Sequence, residues 1–377
     1  MKVVHVGLPK TGTSFLQRTL WLNEDLLAKR GVRQPMENRA ELFAATMYVR
    51  GEAYDWDPTG YDPEQAWRRI VKRSHAWSGT TVISSEWLCL AARDQAQQAL
   101  AALGEDVHLV LTLRDLARQV PAEWQEGVKH GRRLSFPEYL ECVLGGQGRP
   151  SLRQRFWRAQ DVVGVCDRWA ADLPPERVHL VTCPPSGARP DLLWARFAEV
   201  LDISPDGVQL PGGDINASLG AVQVELLRRL NEHFPRTGQE IDYRAVVKDY
   251  YARDVLGAFP SEKTVLPASW SSTVEKIGSG WVEKLGRRGY RVVGDLTELV
   301  PASRTTEAEP PPPDGDRMLD MSVRSTAVLL HEIRRLRRQR GGVRRRVVAL
   351  AKDPRRHLPR LIRAAAARVR RRISPAD

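Results

Sequence analysis

The sequence predicts an α/β fold, a parallel β-sheet flanked by helices, followed by a helical C-terminal extension. Two observations predict the sheet. Short runs rich in β-branched and other apolar residues, typical of buried strands, alternate with amphipathic segments typical of helices over residues 1–190. The first strand also ends at a glycine-containing turn that leads directly into a helix. Because strands that alternate with helices form parallel sheets covered on both faces, both observations indicate this class.

Each element follows from its local pattern. The predicted strands are residues 2–7, 80–85, 107–113, 177–182 and, as a short last strand, 290–293. The predicted helices between the strands are residues 14–28, 63–77, 94–103, 116–130 and 160–172. Residues 191–289 have a mostly helical pattern, in which residues 218–233 form the clearest amphipathic helix.

The positive charge of the chain is concentrated at its C-terminus. The whole chain carries a net charge of +12, whereas residues 317–377 alone hold 19 Lys and Arg against four acidic residues, a balance of +15. Residues 1–316 therefore carry −3. This distribution argues against a main domain that binds nucleic acid.

The composition also indicates a cellular compartment. No run approaches the roughly 20 consecutive apolar residues that a membrane-spanning helix needs. Glycine and charge interrupt the first apolar run, so we expect no signal peptide. The four cysteines lie far apart without a Cys-x-x-Cys pair, which argues against a structural zinc site and predicts buried free thiols in a reducing compartment. Together these features predict a cytoplasmic protein.

Three parts are predicted along the chain. Residues 1–302 form the α/β domain, residues 303–316 a stiff proline-rich linker, and residues 317–377 a basic helical tail. Basic amphipathic helices bind anionic membrane surfaces, so the tail predicts peripheral association with the inner face of the membrane. The alternatives are a coiled-coil partner, an acidic polymer, non-specific contact with nucleic acid, which we do not favour, or a solvated arm.

A phosphate-binding loop is predicted between the first strand and the first helix. Residues 7–14 read Gly-Leu-Pro-Lys-Thr-Gly-Thr-Ser. A glycine-containing turn at this place lets successive backbone N–H groups converge on an anion at the helix N-terminus. The hydroxyls of Thr11, Thr13 and Ser14 add donors, and Lys10 adds a positive charge. The alternative is a tight turn without a binding function, in which the lysine faces solvent.

The glycine spacing in this loop matches the Walker A pattern, Gly-x-x-x-x-Gly, but the lysine that should follow the second glycine is absent. Thr13 occupies its place, and the lysine, Lys10, precedes that glycine instead. This displacement weighs against an ordinary ATP or GTP hydrolase.

The loop resembles the Pro-Lys-Thr-Gly-Thr-Ser/Thr segment of sulfotransferases, and the Phe-Leu-Gln at residues 15–17 also looks like that family. The resemblance implies the P-loop-like sulfotransferase fold and transfer of a sulfuryl group from 3′-phosphoadenosine-5′-phosphosulfate to an acceptor hydroxyl, on a carbohydrate or glycolipid. It implies that Lys10 neutralises charge on the bridging oxygen as the sulfuryl group departs, a stabilisation specific to the transition state. The residues that it assigns to the donor's phosphosulfate are Pro9, Lys10, Thr11, Gly12, Thr13 and Ser14.

A second nucleotide contact is predicted where the strand at residues 107–113 ends in Arg114-Asp115. A guanidinium at the carboxyl end of a strand suits bidentate phosphate binding. The resemblance implies that Arg114 binds the donor's 3′-phosphate. The serine that the family carries eight residues later is Ala122 here, and the candidates to replace it are Arg118, Gln119 and Gln125. The alternative is a surface pair between Arg114 and Asp115.

Transfer to an alcohol or amine needs a group that removes the acceptor's proton. Glu86 is the first candidate, because it follows the strand at residues 80–85 and is expected at the same sheet edge as Lys10 and Arg114. Its alternative role is that of an acid at the first turn of a helix. His130 is the second candidate, with a polar helix cap as its alternative. The histidines suggest no metal cluster, and we expect no metal requirement.

Two other functions stay open on the sequence alone. A P-loop kinase-like phosphotransferase with an unusual loop would turn over ATP with magnesium. A catalytically silent nucleotide-binding protein, tethered by its basic tail, would bind the donor without transfer.

Overall fold

A computed structural model describes most of the chain. The described residues are 1–52, 59–212, 219–234, 243–260, 262–301, 313 and 315–352, with side chains as far as residue 339. Most of the predicted linker at residues 303–316, and residues 353–377 of the predicted tail, lie outside the described residues.

One parallel sheet of six strands organises the described part of the chain. The strands are β1 (Lys2–His5), β2 (Val32–Arg33), β3 (Thr80–Ser84), β4 (Val107–Leu113), β5 (Val178–Thr182) and β6 (Arg291–Val293). Their order across the sheet is β2-β3-β1-β4-β5-β6, and every neighbouring pair is parallel. The predicted class, a parallel sheet flanked by helices, is confirmed.

Helices flank this sheet. They are α1 (Thr13–Leu22), α2 (Glu24–Lys29), α3 (Arg39–Val49), α4 (Pro63–Ala76), α5 (Arg93–Leu103), α6 (Leu116–Lys129), α7 (Phe136–Val143), α8 (Pro150–Gln160), α9 (Val162–Trp169), α10 (Leu192–Val200), α11 (Ala221–His233), α12 (Ser271–Gly286) and α13 (Gly315–Lys352). A π-helical segment, Tyr243–Val255, follows α11.

Both faces of the central strands β1, β3, β4 and β5 are buried, which explains why these strands read as mostly apolar runs. Val4, Ile83 and Leu109 lie in register across three adjacent strands and belong to one core. Val3 and Val82, also in register, belong to a second core. Because side chains alternate along a strand, one residue step moves from one core to the other.

The helix predicted at residues 14–28 is two helices that meet at Asn23. The side chain of Asn23 donates to the carbonyl of Gln209 and accepts from its N–H, both at 2.8 Å. These long-range hydrogen bonds hold Asn23 out of helical geometry, with φ −119° and ψ 24°. A purely local pattern does not contain this interruption.

Two elements between residues 30 and 50 were not predicted. Strand β2 has two residues, too few for an alternating pattern. Helix α3 buries Glu41, whose carboxylate pairs with Arg69 at 3.0 Å and Arg73 at 2.8 Å. A buried polar residue on the inner face of α3 obscures the apolar periodicity by which a helix is recognised.

The first turns of the predicted tail pack on the main domain. The C-terminal helix α13 begins at Gly315, before the predicted boundary, and Met318 and Met321 on it are buried. The hydroxyl of Ser325 lies 3.1 Å from that of Tyr251. Helix α13 packs chiefly against α11. The beginning of the tail is therefore part of the folded body.

The strand order places a topological switch point between β1 and β4. The chain leaves β1 toward β2 and β3 on one side and leaves β4 toward β5 on the other. Open α/β sheets bind ligands in the crevice that such divergent connections form at the carboxyl ends of the strands. Residues 7–14 follow β1 and Arg114 follows β4, so the predicted loop and the predicted arginine meet at this crevice.

Candidate active site

Buried hydrogen bonds join the carboxyl ends of three strands beneath the loop. The imidazole of His5 lies 2.8 Å from the Ser84 hydroxyl of β3 and 3.1 Å from the Thr112 hydroxyl of β4. Thr112 also bonds to the hydroxyl of Thr11, which donates to the carbonyl of Leu8. Burial lowers the pKa of His5 to about 3, so its ring is neutral at physiological pH. These bonds fix the loop to the strands.

The backbone of the loop contains two residues in left-handed geometry. Lys10 and Gly12 have φ angles of 65° and 85°, in the left-handed region. That region is uncommon for a residue such as lysine and is often found at functional sites. A Cβ on Gly12 would also overlap a terminal methyl group of Leu193, so a larger residue would require Leu193 to shift. No side chain caps α1, which leaves its first N–H groups for a ligand.

The three predicted hydroxyl donors of the loop have different surroundings. Thr11 is buried and its hydroxyl bonds inward, so it shapes the loop. Thr13 and Ser14 make no side-chain hydrogen bond to any described residue, and Ser14 is exposed. The carbonyl of Pro9 accepts from the buried amide of Gln119 on α6. Thr13 and Ser14 are therefore the hydroxyls that remain for an anion.

Lys10 is held by a carboxylate of α6. Its Nζ lies 2.7 Å from Oε2 of Glu126, whose Oε1 lies 2.9 Å from Nζ of Lys248 and 3.1 Å from Nε2 of His130. Burial alone would raise the pKa of Glu126, but the hydrogen bond from His130 and the charges of Lys10 and Lys248 hold it far below its usual range. The loop lysine is thus positioned and does not simply face solvent.

Arg114 sits beside the loop without a carboxylate partner among the described residues. Its Nη1 donates to the carbonyl of Lys10 at 3.0 Å. Burial, and then the like charge of Arg118, lower the pKa of Arg114. Asp115 does not pair with Arg114, because its carboxylate caps α6 and binds Arg118. The surface-pair alternative therefore does not describe Arg114, whose other N–H groups remain for a ligand.

The three candidates to replace the missing serine at Ala122 differ in whether their side chains already have hydrogen-bond partners. The side chain of Arg118 pairs with Asp115 and donates to the carbonyl of Pro184 at 2.8 Å. Gln119 holds Pro9 and lies 2.8 Å from the amide oxygen of Gln160. Gln125 is buried and makes no side-chain hydrogen bond to a described residue. Of the three, only Gln125 is uncommitted.

Glu86 lies where the sequence predicts it, against the start of the loop. It follows β3 directly, and a Cβ on Gly7 would come within 3.1 Å of its Cα. Gln17 of α1 donates to Oε2 of Glu86 at 2.8 Å and to the carbonyl of Ser84 at 3.1 Å. The other carboxylate oxygen has no hydrogen-bond partner among the described residues. Gln17 therefore orients Glu86 and leaves one oxygen to accept a proton.

His130 lies elsewhere in the site. Its Nε2 is 3.1 Å from Glu126 and 2.6 Å from Nζ of Lys248, and the residue caps the C-terminus of α6. These contacts place His130 beside the carboxylate that holds Lys10. They do not bring it to Glu86.

Two carboxylates of α6 were not predicted as site residues. Glu123 and Glu126 lie one turn apart on the helix that follows Arg114, a spacing that the sequence contains but does not distinguish from a solvated face. Burial raises the pKa of Glu123, against the opposing charges of Lys10 and Arg132. A carboxyl group with a raised pKa beside a candidate catalytic lysine is a further candidate for proton transfer.

One of the four cysteines, Cys183, contacts the loop. All four are free and buried, as predicted. Cys183 supports the loop through its thiol, which lies 2.8 Å from the carbonyl of Thr11, and burial raises its pKa to about 12. Within the described residues, no group of three or more metal-ligating side chains occurs, and no helix is long and apolar enough to cross a bilayer.

Comparison with known proteins gives no match. No protein-family model, no curated protein and no solved structure matches this chain. Its function is therefore inferred from the residues of the site.

Proposed function

We propose that this protein is a sulfotransferase that moves a sulfuryl group from 3′-phosphoadenosine-5′-phosphosulfate to an acceptor hydroxyl, on a carbohydrate or glycolipid. The observation that carries the proposal is the contact between Arg114 and the loop at Lys10, two cationic positions at one crevice. The donor has two separate anionic groups, a 5′-phosphosulfate and a 3′-phosphate. A nucleoside triphosphate has its charge in a single chain and lacks a second, separate phosphate group.

The proposed reaction is an in-line displacement at sulfur. The acceptor oxygen attacks the sulfur atom, the bond from sulfur to the bridging oxygen breaks, and adenosine 3′,5′-bisphosphate leaves with the electron pair. Lys10 and the loop N–H groups stabilise the negative charge that develops on the bridging oxygen. Donor binding would draw Lys10 from Glu126 toward the phosphosulfate.

The acceptor's proton passes to the carboxylate of Glu86. Its position at the end of β3, against Gly7 of the loop, supports this role, because the acceptor must approach sulfur from the side opposite the leaving group. Gln17 holds one oxygen of Glu86, so the second is the expected proton acceptor.

Replacing Arg114 with alanine should weaken binding of adenosine 3′,5′-bisphosphate about 10- to 150-fold. A charge-assisted hydrogen bond contributes about 1.5–3 kcal/mol, and each 1.4 kcal/mol is a factor of ten. Calorimetric titration of wild-type and variant protein measures the loss. AMP lacks the 3′-phosphate, so its affinity should change little in the same variant.

The difference between the two nucleotides separates 3′-phosphate recognition from general damage to the loop. Arg68→Ala, on the exposed side of α4, is the matched control and should leave both affinities unchanged. Equal loss for AMP and the bisphosphate would contradict the assigned role. Preference of the wild-type protein for ATP with magnesium would instead favour the phosphotransferase alternative, and binding without any donor turnover would favour a silent nucleotide-binding protein.

We also propose that α13 associates with an anionic membrane surface, which would place the site near lipid-linked acceptors at the inner face of the membrane. Leu319, Val323, Leu330 and Ile333 lie on one face of this helix and are 63%, 61%, 60% and 46% exposed. Arginines at positions 334, 337 and 338, further along the same helix, are also exposed. Each basic residue near an anionic leaflet contributes roughly 1 kcal/mol to binding.

The double substitution Leu319→Ser and Leu330→Ser should reduce co-sedimentation of the full chain with phosphatidylglycerol vesicles several-fold, because it removes apolar area that would enter the interface. The control is Leu22→Ser on α1, where the side chain is 49% exposed. Equal sedimentation of both variants and the wild type would exclude this surface. If the wild-type protein co-sediments with neutral phosphatidylcholine vesicles as well as with phosphatidylglycerol vesicles, the basic residues do not contribute to membrane binding.

A further inference from the structure

Three consecutive carbonyl groups of the loop each accept a hydrogen bond from a side chain of a different part of the fold. Nε2 of Gln119, on α6, donates to the carbonyl of Pro9. Nη1 of Arg114, which follows β4, donates to the carbonyl of Lys10 at 3.0 Å. The thiol of Cys183, which follows β5, donates to the next carbonyl at 2.8 Å. The loop carbonyls are therefore held by α6 and by the ends of two strands.

These contacts determine the direction of the loop N–H groups. The peptide bonds that follow the three carbonyls are trans, and in a trans peptide the C=O and N–H bonds point to opposite sides. The N–H groups of Lys10, Thr11 and Gly12 therefore point away from the three side-chain donors. No described residue accepts a hydrogen bond from these N–H groups. Successive N–H groups without acceptors are the arrangement that binds an anion.

Helix α6 holds both the backbone and the side chain of Lys10. The backbone of Lys10 lies in the left-handed region, which a residue with a side chain keeps only where its surroundings hold it there. Gln119 bonds to the carbonyl directly before Lys10, and Glu126 binds its ammonium group at 2.7 Å. Gln119 and Glu126 are seven residues apart and thus lie on the same face of α6. This face sets the conformation of Lys10.

The orientation of Gln119 is fixed by a second glutamine. Nε2 of Gln119 also lies 2.8 Å from Oε1 of Gln160, the last residue of α8. Both N–H bonds of the Gln119 amide are thus used, one for the loop and one for α8. Gln119 is 2% exposed, so water cannot easily replace it at the Pro9 carbonyl. Arg114 is only half-buried, and water can take its place at the carbonyl of Lys10.

We propose that Gln119 is a positioning residue of the loop, and that Gln160 holds it in place. By turning the Pro9 carbonyl inward, Gln119 directs the N–H of Lys10 toward the 5′-phosphosulfate of the donor. This inference rests on the proposed function, since it concerns how the same site holds that group. Gln119 itself contacts neither donor nor acceptor.

Replacing Gln119 with methionine should weaken binding of AMP and of adenosine 3′,5′-bisphosphate about tenfold, because it misdirects one charge-assisted hydrogen bond to the 5′-phosphate. Binding of adenosine 3′-phosphate should change less than twofold, since that nucleotide has no 5′-phosphate. Calorimetric titration of the full chain with the three nucleotides measures these affinities. A general loss of structure would not distinguish the 5′-phosphate from the 3′-phosphate.

Gln223→Met on α11 is the matched control. Gln223 is 1% exposed, and its Nε2 also donates to a backbone carbonyl, that of Phe259, at 2.5 Å. This variant should lower the midpoint of thermal unfolding about as much as Gln119→Met and leave all three affinities unchanged. Gln160→Met keeps the donor to Pro9 but removes the contact that orients it, so AMP binding should weaken less than in Gln119→Met. Gln160→Met also provides the test if Gln119→Met does not fold.

Unchanged AMP affinity in the folded variants, or an equal loss for adenosine 3′-phosphate, would overturn the positioning role and leave the proposed function standing. Failure of the wild-type protein to bind the bisphosphate would overturn the proposed function, and the inference with it.

Discussion

Replacing Lys10 with methionine should reduce the rate of donor cleavage about 10²- to 10³-fold, while binding of adenosine 3′,5′-bisphosphate falls much less. Removal of one preorganised group that stabilises transition-state charge costs about 2.7–4 kcal/mol. The bisphosphate carries no sulfuryl group, and Arg114 and the loop N–H groups remain to hold it. Single-turnover release of bisphosphate from the labelled donor measures the rate, with water or an added sugar as acceptor.

The fold should survive this substitution, because Glu126 keeps two other partners, Lys248 and His130. Lys2→Met, on β1 away from the loop, is a second lysine substitution that should leave the rate unchanged. A Lys10→Met protein that retains the full rate would remove Lys10 from the chemistry. Loss of bisphosphate binding in equal measure would show that Lys10 acts in ground-state binding, not in the transition state.

Replacing Glu86 with glutamine should lower the rate of transfer by about 10²- to 10⁴-fold, the usual contribution of a positioned general base. Glutamine preserves the shape of the side chain and its contact with Gln17 but cannot accept a proton. The same single-turnover measurement applies, and bisphosphate affinity should be unchanged. Addition of formate to Glu86→Gly should restore part of the lost rate, because a small carboxylate can enter the space that the side chain leaves.

Glu123→Gln is the informative comparison for this experiment. Both residues are carboxylates near the loop, but Glu86 contacts Gly7 and Gln17, whereas Glu123 lies on α6 and interacts with Lys10. If the transfer rate falls in Glu123→Gln but not in Glu86→Gln, the general base lies on α6. Glu86 would then serve only as an acidic residue in the first turn of a helix.

Gln17→Leu offers a way to separate positioning from proton transfer. Leucine cannot donate to Glu86, so the carboxylate would lose its orientation but keep its charge. An intermediate loss of rate in Gln17→Leu, smaller than in Glu86→Gln, is consistent with this positioning.

The main features of the fold are encoded in short stretches of sequence. Strand β4 was predicted with its observed ends, residues 107–113, because a fully buried parallel strand is a continuous apolar run. Helix α6 was predicted to within one residue, since Asp115 caps its start. Where the structure differs, a long-range contact is the cause, as at Asn23, which leaves the helix to bind Gln209.

The candidate site also combines features that the sequence predicts with features that depend on long-range contacts. Its residues at strand ends could be predicted, because in a parallel sheet whatever follows each strand reaches the same edge. Lys10, Glu86 and Arg114 follow β1, β3 and β4, and the structure brings all three to one edge of the sheet, where Arg114 contacts Lys10 and Glu86 lies against Gly7. The sequence could not indicate that Asp115 binds Arg118 and leaves Arg114 without a carboxylate partner among the described residues, since adjacent opposite charges read as a pair.

By itself, the sequence determined the class of fold, the position of the glycine-containing turn after β1 and the residues at the ends of β1, β3 and β4. These follow from apolar periodicity and from the backbone freedom of glycine, which are local properties. Only the tertiary structure decided that Glu126 holds Lys10 and that Lys248 shares Glu126 from a segment far along the chain. Those facts depend on how α6 packs against the π-helical segment, and the balance of charge in a partly buried site exists only once these distant segments meet.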